Sequence, residues 1–142
     1  MKWIKPAILF AVGGAVYTAI EIVWRSVRGS TPTHWTMFLL GGIVFLLIGS
    51  INEHFSWDMP FRAQTAIGTA IVLSAELIFG IVLNIWLGLG IWDYSNMPFN
   101  ILGQVCLPFV FAWVFLVAIA IVLDDYLRYR LFGEEKPRYR WF

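Results

Sequence analysis

Four stretches of this chain are too apolar and too long to fold as anything but spanning helices. They cover about residues 7–24, 34–53, 61–87 and 98–123. A helix crosses the hydrocarbon core with roughly 20 apolar residues, and in lipid only helices and closed barrels satisfy their own backbone. The rest of the composition agrees. Residues are 60% hydrophobic and 13% charged, where a soluble domain carries about a quarter charged. The fold class is therefore all-α: a polytopic membrane protein with four transmembrane helices, and its first partner is the lipid bilayer. Lys2 and Lys5 before an apolar run resemble the start of a signal peptide, but the run is nearer a span in length. It is read as an uncleaved first helix.

The connections carry turn formers and interfacial aromatics. Gly29, Ser30 and Pro32 lie between Trp24 and Trp35, and Trp57 and Pro60 mark the second loop. In the third, Gly88 and Gly90 end a helix beside Trp92 and Tyr94. Asp93, Ser95 or Asn96 then caps helix four, with Pro98 in its first turn. Residues 124–142 mix charges and aromatics, as suits a surface segment or a partner contact. Basic residues decide orientation. Lys2, Lys5, Arg62, Arg128, Arg130, Lys136, Arg138 and Arg140 fall on one side, Arg25 and Arg28 on the other. The positive-inside rule puts both termini, and the 124–142 tail, in the cytoplasm.

Several functions are disfavoured. A net charge of +1 is not that of a nucleic-acid binder. The single cysteine, Cys106, forms no internal disulfide and reads as a small packing residue. Asn52-Glu53-His54 with Asp58 lacks metal-ligand spacing and reads as a solvated helix end. No metal site and no cofactor is expected.

Helix three carries the polar chemistry. Glu76 sits near its middle, where the insertion scale puts a charge at about +2.5 to +3.5 kcal/mol. Such an acid is read by default as functional. At helical spacing Ala66, Thr69, Ala70, Glu76, Gly80 and Asn84 share one arc, which makes helix three the centre of the bundle. Ala66, Ala70 and Ser74 form a small-xxx-small ridge suited to close packing, as do Gly41, Gly42 and Gly49 on helix two. Asn100 and Gln104 are expected on one face of helix four, converging with Glu76 and Asn84; Trp113 should be buried further along. The candidate site is thus Glu76, Asn84, Asn100 and Gln104, with Asp93 near it. Glu21, sharing a face with Gly13 and Tyr17, is a second candidate or a surface partner of Arg25 or Arg28. A small solute or a proton is the expected ligand. Two other readings stand: an enzyme pairing Glu76 with Asp93 or Glu21 as acid and base, and an assembly protein whose polar cluster only locks helices.

The run Glu76-x-x-x-Gly80-x-x-x-Asn84, followed by Trp92-Asp93-Tyr94-Ser95 and Pro98-Phe99-Asn100-x-x-Gly103-Gln104, resembles the family named putative ABC-transporter type IV (CmpB-type). Trp57-Asp58-Met59-Pro60 and Asp124-Asp125-Tyr126-Leu127-Arg128-Tyr129 extend the likeness over most of the chain. It implies a small bacterial inner-membrane protein with a permease-like or channel-like part in transport. No G-x-x-x-x-G-K-[ST] is present, so any ATPase would be a separate chain. With four helices, a pathway calls for a second copy or a partner membrane subunit.

Overall fold

The computed structural model describes residues 2–141, and over these the chain is all-helical. Four segments are long and apolar enough to cross a membrane: Ile4–Arg28, Thr36–His54, Phe61–Trp86 and Leu107–Phe132. The first is α1 (Ile4–Arg28) and the second is α2 (Thr36–Gly49) with the short α3 (Ile51–His54). The third is α4 (Phe61–Gly80), which runs on as a π-helical stretch (Ile81–Trp86). The last is α5 (Leu107–Phe132). The chain divides into two compact units, Met1–Leu47 and Ile48–Phe142.

In the first unit, glycines and rings interlock. A Cβ on Gly13 would lie 2.2 Å from Phe45, and one on Gly41 would lie 2.3 Å from Tyr17. Gly14 meets Phe38 and Gly42 meets Phe10 in the same way. Apolar burial drives little helix association in lipid, so such close approach must supply dispersion contact instead. The expected packing role of Gly41 and Gly42 holds. α1 ends at Gly29, whose φ of 66° is the left-handed cap that glycine adopts freely.

In the second unit α4 buries Gln64, Thr65, Gly68, Thr69, Val72, Glu76 and Gly80. Gly68 admits Val117 of α5, 2.5 Å from where a Cβ would stand. The expected ridge of Ala66, Ala70 and Ser74 is instead exposed. The true buried stripe lies about one position away, centred on Gly68 and Val72. Ser74 turns its hydroxyl back onto the Ala70 carbonyl at 2.8 Å. Trp113 is half-buried rather than enclosed.

The last helix differs most from expectation. It begins at Leu107, not near 98, and runs to Phe132 rather than 123. Two prolines could each have opened it. Pro108 does so, at a helix start where its missing N–H costs nothing. Pro98 lies instead in an irregular segment over 88–106, built on left-handed residues Gly88, Gly90, Phe99, Leu102 and Gly103. For bulky Phe99 and Leu102 that conformation costs roughly 1–2 kcal/mol each. Hydrogen bonds hold it, among them Tyr94 N–H to the Gly103 carbonyl (2.7 Å) and Leu107 N–H to Pro98 (3.1 Å). Tyr94 stacks on Phe109 at 4.8 Å, tying the segment to α5.

After Gly133 the chain turns and lies along the second loop. The Phe61 N–H donates to the Arg140 carbonyl. Tyr139 packs on Phe61 (5.0 Å) and Trp57 (6.0 Å), and Trp141 packs on Phe61 (5.3 Å). The expected surface segment is thus a strap over residues 57–61.

Candidate functional site

Two polar clusters occupy the second unit, at opposite ends of the α4–α5 pair. The first is where the sequence directs attention. Asn84 lies in the π-helical stretch, a geometry that recurs at functional sites. Its Nδ2 donates to Gln104 Oε1 (2.8 Å) and its Oδ1 accepts from the Ile91 N–H (2.7 Å). Gln104 Nε2 donates to the Leu102 carbonyl (2.9 Å), and Trp92 Nε1 donates to the Gln104 carbonyl (3.0 Å). Gln104 lies directly over Gly80: a Cβ there would meet its Oε1 at 2.4 Å. Glu76, one turn earlier on the same buried face, is 5% exposed.

The structure therefore joins Asn84 to Gln104 and sets them beside the face that carries Glu76. It does so through an irregular loop, not through a face of helix four. Asn100 is spent within that loop. Its Nδ2 donates to the Ser95 (3.2 Å) and Met97 (3.0 Å) carbonyls, and its Oδ1 accepts from Gly103 N–H (3.0 Å). Asp93 makes an Asx turn, accepting from the Ser95 hydroxyl and from its N–H at 2.9 Å. The Ser95 hydroxyl holds the Asp93 carboxyl below its ordinary pKa. Glu21, in the first unit, pairs with Arg25 at 3.1 Å. That is the surface-partner alternative. Asp93 and Glu21 are thus each engaged with a neighbour of their own.

The second cluster lies outside the sequence expectation, which ends helix four near Leu123 and makes 124–142 a tail. α5 continues, and Val117, Ile121, Asp124, Asp125 and Arg128 form its buried stripe. The i, i+4, i+7, i+8, i+11 spacing of those five residues is helical, and it was available to a sequence reader who did not stop at the first charge. Asp124 is fully buried, and its carboxyl rests on Gly49, where a Cβ would come within 2.3 Å. Arg128 Nε donates to Asp124 Oδ2 at 2.7 Å and reaches Glu53 (3.6 Å) and Glu134 (3.8 Å). Asp125 Oδ2 accepts from Asn52 Nδ2 and from the Tyr139 hydroxyl, both at 2.7 Å. Burial and then the Asp125 carboxylate raise the Tyr139 pKa, so the phenol stays protonated. Asn52 is thus a buried hydrogen-bonding residue, not part of a solvated helix end.

Four apolar spans, with acids and amides buried between helices, define a multi-pass membrane protein. The family model described as "Putative ABC-transporter type IV" matches residues 8–136, and the chain belongs to that family. No curated protein and no solved structure matches it. The family description is that of an ABC-transporter-related membrane protein.

Proposed function

We propose that this chain is the membrane-embedded part of a transport system, binding a small solute or a proton at Glu76, Asn84 and Gln104. The observation that carries the reading is a carboxyl buried in a membrane span, on the face of α4 over which the Gln104 amide lies. An acid is expensive there, whereas packing alone is served by leucine or glycine. Asn100 and Asp93 serve by shaping the loop that presents Gln104. The protein sits in the cytoplasmic (inner) membrane with both termini inside, so the loop over 88–106 opens outward. Any ATP-driven motor is a separate chain, and a second copy or partner subunit completes the pathway.

Glu76→Gln tests this, because it keeps the shape and removes the ionisable proton. In proteoliposomes with an entrapped pH-sensitive dye, proton flux through E76Q should fall at least about tenfold, the scale of one lost polar interaction, with an unchanged melting temperature. Equal flux from E76Q and wild type would remove Glu76 from the pathway. If E76Q instead melts lower and neither protein conducts, the cluster serves to lock helices.

A further inference from the structure

Two bulky apolar residues of the 88–106 segment hold a backbone conformation that their side chains disfavour, and they gain little packing in return. Phe99 (φ 53°) and Leu102 (φ 55°) are left-handed, yet they are 82% and 64% exposed. Leu102 and Gly103 (φ 73°) are the central pair of a turn closed by the Gln104 N–H on the Ile101 carbonyl, at 3.0 Å. Positive φ at both centres is the type I′ pattern, whose first centre favours Asn, Asp or Gly. Glycine at 99 or 102 would relieve the backbone and give up little contact within the chain. Strain of this kind persists where it serves a function. What these side chains gain therefore lies outside the chain.

Their position says what covers them. The segment is bonded to the start of α5: the Leu107 N–H donates to the Pro98 carbonyl, and the Ile101 N–H to the Val105 carbonyl at 2.9 Å. Tyr94 stacks on Phe109 in the first turn of that helix. The exposed face of α5 begins at Leu107 and continues through Phe111 and Phe115, and in a spanning helix that face meets lipid. Phe99, Ile101 and Leu102, all exposed, carry apolar surface on from it past the helix end. The exposed polar residues Asp93, Ser95 and Asn96 form a separate run. Continuity with the lipid-facing side of α5 selects phospholipid as the occupant.

We propose that Phe99 and Leu102 are lipid anchors, which enter the boundary between headgroups and acyl chains and hold the loop at the membrane surface. Taking an apolar side chain fully out of water shifts an equilibrium by more than about tenfold, which offsets the left-handed backbone. The backbone itself goes no deeper, because hydrocarbon leaves irregular N–H and C=O groups unmet. The grip reaches the polar cluster through one bond, since the Leu102 carbonyl accepts from Gln104 Nε2. The inference concerns lipid contact alone and stands independently of the transport reading.

Spin labels test it, on the full chain in phosphatidylcholine liposomes, with single cysteines from Phe99→Cys, Leu102→Cys and Asn96→Cys on a Cys106→Ser background. Should Cys106→Ser fail to fold, the native background serves, because Cys106 is only 1% exposed. Collisions are measured with oxygen, which dissolves among acyl chains, and with a water-soluble nickel chelate present on both sides of the membrane. Labels at 99 and 102 should collide mainly with oxygen, and the label at 96 mainly with nickel. A label from Ile101→Cys keeps both anchors in place and should also favour oxygen; with Phe99→Gln and Leu102→Gln added, its preference should reverse to nickel. A nickel preference at 99 and 102 would put the loop in water, and protection from both reagents would put a second copy or another protein over it. Either result, or an Ile101→Cys label unmoved by the two glutamines, would overturn the proposal.

Discussion

Asp124 packs its carboxyl directly against Gly49. A fully buried carboxyl bonded to Arg128 rests where a methyl on residue 49 would have to go. Gly49→Ala must therefore shift either the helix or the ion pair. Overpacking of this kind costs about 1–3 kcal/mol, and displacing a buried pair adds to it. Melting in detergent should drop markedly for Gly49→Ala. Gly88→Ala should cost only the left-handed penalty of roughly 1–2 kcal/mol, because nothing lies near its missing Cβ. Residue identity made Gly49 visible in the sequence as a packing position. That its neighbour is a carboxyl rather than an aliphatic side chain depends on where α5 ends, which hydropathy alone sets before Asp124.

Among elements, the returning strap of residues 133–141 is the least predictable piece. Its docking hangs on Tyr139, bonded to Asp125 and packed on Phe61 and Trp57. Tyr139→Phe keeps the rings together and removes one hydrogen bond to a carboxylate, a loss of about 1–2 kcal/mol at a half-buried site. Alkali gives the signed test. The Tyr139 pKa is raised by folding, so its contribution is complete below the ordinary tyrosine value near 10. It is lost as pH rises through the higher folded value. Wild type should lose stability above about pH 10 more steeply than Tyr139→Phe, in denaturant melts taken at matched pH. Steeper loss in the phenylalanine protein would contradict the assignment. The other element that escaped the sequence is the segment 88–106. Phe99 and Leu102 give no sign of a left-handed backbone, and Pro98 and Pro108 are equally good helix openers in isolation.

At the scale of the whole molecule the claim is four crossings. An even number would put the two ends on one side of the membrane, and on the orientation we propose from the excess of lysine and arginine there, that side is the cytoplasmic one. Single cysteines on a Cys106→Ser background provide the check. Thiols at Ser30 and Ser95 should label with an impermeant maleimide from outside intact cells. A thiol at Ser56 should label only after the membrane is opened. Labelling of position 56 from outside would reverse the orientation, and with it the direction in which the Asn84–Gln104 loop opens.

The sequence by itself determined the class. Hydropathy over roughly 20 residues is a local property, and lipid leaves an apolar run few other ways to satisfy its backbone. It also marked Glu76, Asn84 and Gln104, because a polar side chain in such a run stands out without any knowledge of its neighbours. Tertiary structure decided which polar groups meet. Asn100 turned inward on its own loop, Asp93 went to Ser95, and Asp124, Asp125 and Arg128 became core once α5 carried them against Gly49, Asn52 and the strap. Those pairings join residues as far apart as 52 and 125, and no local pattern encodes such a separation. They follow from helix register and close approach, which are settled only when the helices pack.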